Sequence, residues 1–454
     1  MECIKPILNR LSELQSVNRR IQEDAVLRGS LEYHGISLWS CEQQLLWEQT
    51  GRASVKKRIG STAALFCARC VACVSLTWLI IRMRVSKSRI FIYGIDLVDS
   101  PYAGDARIAR IYRFLHERKI GYGEILHTTF SRSFFANFLR RRRAAFYLGI
   151  AYASSTGRAS RPEFDRLVSD RLNVAASRPR SIAFIRRVLW LTGARTILAI
   201  DDTRYYYPLM IAARECGIPF YAFQHGRFNP FMPGWAQYGI DPAACPFPDA
   251  VFVWSEYWRF ALMRISPPAA LHADRIRISG KPSIGTDTDA LLAPPIDDGV
   301  MSFLIPHEDI LPEAEILDFI ARILAMPDTR VIYKLRRGRP TPSFIRHFKS
   351  ASRFECRFDI SPDDWSRVDA VLGAYSTFLY EAAACGRPVG VLETSVTQAS
   401  DLVLGGFAEA VCLSTLSSDA SRVARTPWGV VCARREAFRC QASFNDALSA
   451  IMPT

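Results

Sequence analysis

From Ser88 onward the chain alternates short apolar runs with amphipathic stretches of helical period, and that alternation points to parallel α/β sheets. Parallel neighbours need a long crossover, and a helix is the crossover that also covers the sheet face. The pattern predicts a strand over Ser88–Ile95, its crossover helix over Ala106–Lys119, and strands Thr196–Ile200 and Pro219–Phe223 around a helix Tyr206–Cys216. Ala250–Trp254 and Arg275–Ser279 complete this half. The Pro- and Asp-rich segment Leu292–Gly299 reads as a linker. A second set follows, with strands Met301–Ile305, Arg330–Leu335, Arg367–Leu372 and Pro388–Leu392, helices Glu313–Ala325 and Thr377–Cys385, and a helical tail around Arg434–Ser449. Neither an internal repeat nor a low-complexity tract interrupts the pattern. The expected division is residues 1–87 as a helical extension, 88–290 as an N-terminal Rossmann-like domain and 291–454 as a C-terminal one, with a cleft between the two.

Ahead of this pattern, Leu11, Leu14, Val17 and Ile21 recur at near-helical spacing in a polar segment. The apolar stretch Thr62–Ile81 comes next, flanked by Lys56, Lys57 and Arg58 and by Arg82, Arg84, Lys87 and Arg89. Its length allows a bilayer span, but Arg69 lies inside it, and a central Arg costs about 2.5–3.5 kcal/mol on insertion scales. A helix docked on the protein, or lying on an anionic membrane surface, avoids that cost. Cys67, Cys70 and Cys73 have the spacing of the start of an iron–sulfur run, but Thr77 and Trp78 stand where the fourth Cys and its Pro belong. On adjacent helical turns these thiols read as small packing groups.

A net charge of +14 suits an anionic substrate such as a nucleotide sugar, an anionic lipid surface or a nucleic acid, and charge alone does not choose. Twelve cysteines scattered from Cys3 to Cys440 lack the density of a disulfide scaffold, and no signal segment opens the sequence. Both observations lead us to expect a cytoplasmic setting, with peripheral contact at the inner membrane face.

The segment VLGAYSTFLYEAAACGRPVGVL, Val371–Leu392, joins a strand to a helix through Ser376 and Thr377. Free backbone N–H groups and hydroxyls at the positive end of a helix can hold phosphate, and Glu381 can accept from a ribose diol. A plain N-capped βαβ unit fits the same residues. Phe223-Gln224-His225-Gly226 follows another strand, where an imidazole can donate to a phosphate or act as a base.

Together these segments resemble GT-B glycosyltransferases of bacterial surface-polysaccharide synthesis, including capsule Kdo transferases and CDP-glycerol glycerophosphotransferases. Ser376, Thr377, Glu381 and Gly386-Arg387-Pro388 match the family's donor-binding block, and Gln224-His225-Gly226 matches its Gln-His-Gly element. VFVWSE at Val251–Glu256 and ISGKP at Ile278–Pro282 follow in the family's order, and the resemblance spans about 88 to about 410. It implies that the C-terminal domain holds the nucleotide, that Lys334 and Arg336 contact its phosphates, and that His225 is catalytic. The family's Lys followed by His-Pro is here Lys334-Leu335-Arg336, a departure in which Arg336 replaces the His.

Asp201 and Asp202 end a strand on the side where open α/β sheets bind ligands, and either can be the base of an inverting transferase. Asp96 and Asp99 compete for that role, and no metal motif or cofactor is invoked. Pro306-His307-Glu308 ends another strand, as a catalytic pair or, with slight preference, a loop hydrogen bond. The expected reaction moves a sugar from a nucleotide-activated donor, CMP-Kdo or a related compound, to a glycan or lipid-linked acceptor. The alternatives are polyol-phosphate transfer from CDP-glycerol, nucleotide-sugar 2-epimerisation, and non-catalytic nucleic-acid binding through Arg140–Arg143 with Phe134, Phe135 and Phe138. No known nucleic-acid motif supports the last, and no nucleic-acid partner is expected.

Overall fold

The computed structural model describes residues 5–43, 46, 76–96, 108–128, 164–200, 203–228, 232–281, 293–308, 311–336, 341–348, 350–394, 399–439 and 444–452. Arg69, the three clustered cysteines, Asp99, Asp201, Asp202 and the Arg140–Arg143 run lie outside them, as does 62–75 of the apolar stretch. The chain forms two compact units: Met1–Trp254 with Trp258–Ile284 and Cys440–Thr454, and Ser255–Tyr257 with Gly285–Arg439. Among the described residues no helix is long and apolar enough to cross a membrane.

The first unit opens with α1 (Lys5–Glu23), whose Leu11, Leu14, Val17 and Ile21 are all buried as their spacing predicts. A small hairpin, β1 (Glu32–Tyr33) and β2 (Ile36–Ser37), turns through His34 and Gly35, both at positive φ as a tight two-residue turn requires. Helix α2, residues 76–85, precedes β3 (Ile90–Asp96), and α3 (Ala109–Glu117) leads to β4 (Tyr122–Thr128). The long α4 (Phe164–Thr192) leads to β5 (Thr196–Ile200), and α5 (Thr203–Glu215) to β6 (Phe220–Phe223). Then come β7 (Ala250–Val253) and β8 (Ile276–Ile278). All six main strands are parallel, in the order β4-β3-β5-β6-β7-β8.

Period-two alternation sends side chains to two separate cores. Phe91, Tyr93, Ile197 and Ala199 face the core that contains α1 and α4, whereas Ile90, Ile92, Leu198 and Ile200 face the core that contains α3. Phe444 and Leu448, from the last helix of the chain, enter the second of these cores. The division expected at 290/291 put that helix in the C-terminal half; its contacts put it in the first unit. The N-terminal segment is equally built in. Glu42, fully buried, accepts from Arg178 Nε at 2.7 Å and from Arg171 at 3.3 Å, both on α4. Burial alone lowers the Arg178 pKa, but the Glu42 carboxylate overrides it and the net direction is upward.

The second unit carries β9 (Met301–Pro306), α6 (Glu313–Leu324), β10 (Thr329–Lys334), β11 (Phe354–Arg357), β12 (Ala370–Gly373), α7 (Phe378–Ala384), β13 (Val389–Glu393), β14 (Glu409–Cys412) and α8 (Trp428–Glu436). Its six parallel strands run β11-β10-β9-β12-β13-β14, which is the Rossmann order 3-2-1-4-5-6 counted within the unit. Helix α6 buries Ile316, Phe319, Ile320 and Ile323 at the i, i+3, i+4, i+7 spacing of one helical face. In the two six-stranded sheets, the three strands that the apolar pattern does not mark, β4, β11 and β14, are all sheet edges. An edge strand with Glu124, Glu355 or Glu409 in it lacks the continuous apolar run that marks a central strand.

Candidate functional site

In the second unit the strand order reverses between β9 and β12, and a crevice at such a point lies outside the carboxyl ends of the two strands. Strand β9 delivers Pro306-His307-Glu308 there, and β12 delivers Gly373-Ala374-Tyr375-Ser376. The Glu308 carboxylate is 3% exposed and accepts from three successive backbone amides: Ala374 at 2.8 and 2.9 Å, and Tyr375 and Ser376 at 3.1 Å each. Gly373 makes room for this, since a Cβ at that position would lie 2.6 Å from Glu308 Oε1. Ile305, Leu311, Ile316, Phe319 and Leu392 line a depression beside the carboxylate. Burial in these surroundings raises the Glu308 pKa above the ordinary carboxyl range, against the three amides that pull it down.

The amides of this turn, read from the sequence as free to hold an anion, thus donate to an internal carboxylate. Glu308 makes a loop hydrogen-bond set, while His307 Nδ1 lies 3.0 Å from the Tyr333 hydroxyl.

Of the remaining predicted residues of this unit, Lys334, Ser376 and Thr377 lie at the same turn. Ser376 Oγ accepts from Phe378 N at 3.2 Å and so caps the start of α7, whereas the Thr377 hydroxyl makes no capping bond. Lys334, the last residue of β10, holds Nζ 5.0 Å from the centroid of the Phe378 ring, which also stacks on Trp365. Lys334 is thereby brought beside the Ser376–Thr377 turn. Arg336 is exposed two residues further on, and Glu381 is half-buried on α7. Arg387, of the Gly-Arg-Pro match, is a buried strap that donates to the carbonyls of Trp365 at 3.0 Å and Ala293 at 2.7 Å. Burial lowers its pKa. Two residues went unnoticed in the sequence. Asp401 accepts from the Tyr380 hydroxyl at 2.7 Å and the Tyr257 hydroxyl at 2.8 Å. Arg435, 2% exposed on α8, donates to the Ala384 carbonyl at the C-terminal end of α7, where a cation is favoured. Neither belongs to a motif, so neither carried a local signal.

In the first unit His225 is half-buried directly after β6. Its neighbour Gln224 is fully buried and bonded on every side. Gln224 Nε2 donates to the Gly226 carbonyl at 2.8 Å, its Oε1 accepts from Trp254 N at 3.0 Å, and its carbonyl accepts from the Trp254 indole at 2.9 Å. Its own amide donates to Phe252 at 2.9 Å. The loop that carries His225 is therefore clamped to the end of β7, and Lys281 lies 5.3 Å over the Trp254 ring. β3 ends at Asp96 and β5 at Ile200, adjacent strands whose carboxyl ends mark the reversal point of this sheet.

No family model and no curated protein matches the sequence. Solved structures do match, each over 80% of this chain. One is CalG4, the calicheamicin glycosyltransferase, at 15% identity over 98% of its length with a TM-score of 0.50. Others are MurG of Acinetobacter baumannii, at 11% identity over 98% with a TM-score of 0.47, and a UDP-GlcNAc 2-epimerase of Neisseria meningitidis solved with UDP-GlcNAc, at 15% over 97% with a TM-score of 0.46. At these identities the likeness is one of fold. With two six-stranded parallel sheets and their covering helices, the chain has the two-domain Rossmann-like GT-B fold.

Proposed function

We propose that this protein is a nucleotide-sugar-dependent glycosyltransferase whose second unit binds the donor. The observation that carries this reading is the strand reversal between β9 and β12. There Lys334, Ser376 and Thr377 come together around a turn that Glu308 holds rigid. With the Ala374–Ser376 amides engaged, the donor phosphates are bound by side chains: Lys334, Arg336 and the Thr377 hydroxyl. Glu381 accepts from the ribose. A cation and hydroxyls on a fixed frame stabilise the leaving phosphate as charge develops on it. His225, held by the Gln224 clamp, is the catalytic imidazole, and Asp201 or Asp202 is the base that deprotonates the acceptor hydroxyl in an inverting transfer. The finer reading is a CMP-Kdo-like donor and a surface-glycan or lipid-linked acceptor, met at the cytoplasmic face of the membrane.

A thermal-shift screen against CMP, CDP, UDP and GDP tests this assignment. A ligand that binds only the folded state raises the melting temperature, and about 100-fold excess over Kd adds about 2.7 kcal/mol. A rise with one nucleotide that Glu381→Ala abolishes supports the reading. No rise with any of the four removes it.

A further inference from the structure

Two helical faces of the first unit are exposed, apolar and ringed by cations. On α2, Leu79 and Met83 are buried, and Met83 packs where a side chain on Gly123 of β4 would stand. The opposite face presents Trp78, Ile81 and Val85, at 56%, 47% and 79% exposure, at the i, i+3, i+7 spacing of one helical stripe. The C-terminal end of α4 presents Phe184, Trp190 and Leu191, with Trp190 at 72%. These six are nearly half of the thirteen large apolar side chains exposed among the described residues.

The two faces adjoin. Arg84 of α2 donates to the Leu191 carbonyl at 2.7 Å and the Trp190 carbonyl at 2.9 Å. It satisfies the last carbonyls of α4 and complements the negative end of that helix. Gly193, at φ +69, terminates α4 beside the same guanidinium.

Along the segments that form this ridge the charge has one sign. Residues 76–95 carry Arg82, Arg84, Lys87 and Arg89 without an Asp or Glu, and residues 171–195 carry six Arg, also without one. Arg171 and Arg178 are buried against Glu42, and Arg186 lies 3.4 Å from Glu215 on α5. Arg82, Arg84, Lys87, Arg180, Arg187 and Arg195 add positive charge along the same segments. Exposed Trp beside a cationic rim is what the headgroup level of an anionic bilayer accepts, with the rings at the acyl boundary and the guanidinium groups among the phosphates. A protein partner would require a cover of matching shape. A bilayer requires only the apolar ridge and the positive rim, and both are present.

We propose that the ridge formed by α2 and the C-terminal end of α4 docks this protein on an anionic phospholipid surface. The docking stands apart from sugar transfer, so nucleotide binding serves as an independent control of the fold.

The experiment is flotation of the full chain with phosphatidylcholine vesicles, with and without phosphatidylglycerol, at low and high salt. The variants are Phe184→Ser/Trp190→Ser and Lys87→Gln/Arg187→Gln, together with Trp190→Phe. All change side chains only, so the carbonyls that Arg84 uses remain. The expected result is binding to the anionic vesicles alone, weakened by salt. The serine variant should lose about tenfold or more in partitioning, and the paired Gln variant about fivefold per charge, while Trp190→Phe keeps most of it. Melting temperatures should be unchanged. Three results would overturn the proposal: no flotation of the folded chain, equal flotation of the serine variant, or concentration-dependent self-association that the serine variant abolishes without any vesicle binding. The second would place membrane affinity elsewhere in the chain, and the third would make the ridge a contact between copies.

Discussion

Removing the Glu308 side chain separates what its hydrogen bonds contribute from what its charge contributes. Glu308→Ala leaves the amides of Ala374, Tyr375 and Ser376 without their acceptor. Each orphaned buried donor costs about 1–3 kcal/mol. Partial entry of water reduces the sum, and about 3–5 kcal/mol is the expected loss. Glu308→Gln is a different case. Oε1, which receives all three amides, is retained as a carbonyl oxygen, and only the charge and the second contact to Ala374 are lost. Because burial already holds this carboxyl above its ordinary range, the neutral form is not strongly disfavoured in the fold. Gln should therefore remain within about 1 kcal/mol of the wild type at neutral pH. Hydrogen exchange read on the peptide spanning 370–380 measures this locally. The amides of 374–376 should exchange at nearly wild-type rates in Glu308→Gln and about 100-fold faster or more in Glu308→Ala. If the two variants exchange alike, the carboxylate does not hold the turn and the reasoning fails.

Three further outcomes follow from the same geometry. A raised folded-state pKa means that the native chain keeps a proton which the unfolded chain has released, so the stability Glu308 contributes is present at low pH and lost as pH rises through the folded value. The advantage of wild type over Glu308→Gln in urea unfolding should therefore grow on acidification toward the ordinary carboxyl range near 4.5, and a flat difference contradicts the shift. Gln224→Leu removes the Oε1 acceptor of the Trp254 amide outright, while the indole keeps the backbone carbonyl of 224 unless the loop moves, so a melting temperature lowered by several degrees is expected, together with faster exchange at 224–226; an unchanged melting curve would show that the clamp is not needed. His225→Ala should lower turnover by about 100-fold with the melting temperature preserved, whereas a variant that melts early but keeps its activity per folded molecule makes His225 a packing residue.

The central strands of both sheets were legible because strands buried on both faces read as unbroken apolar runs. AVFV at Ala250–Val253 and AVLG at Ala370–Gly373 are buried at every residue. Edge strands such as Phe354–Arg357 were not, since partial exposure lets Glu355 and Arg357 break the run. Local sequence singled out Ser376, Thr377 and Lys334 as candidates, and each lies at a strand end or a helix start. It did not reveal that Glu308, 66 residues before Ala374, engages the amides of that turn. A contact between two strand ends depends on strand order, and strand order is set by packing over the whole sheet. The same holds for Arg435 against Ala384, and for the return of the last helix to the first unit.

The central claim is donor binding by the second unit followed by sugar transfer, and product analysis tests it most directly. The full chain is incubated with the nucleotide sugar whose parent nucleotide raises its melting temperature, with and without a glycan acceptor, and the nucleotide and sugar products are separated. Acceptor-dependent release of the nucleotide, reduced about 100-fold or more in His225→Ala and weakened at the binding step in Glu381→Ala, is the predicted result. Conversion of the nucleotide sugar into an epimer without any acceptor would contradict it and make the protein a 2-epimerase on the same fold.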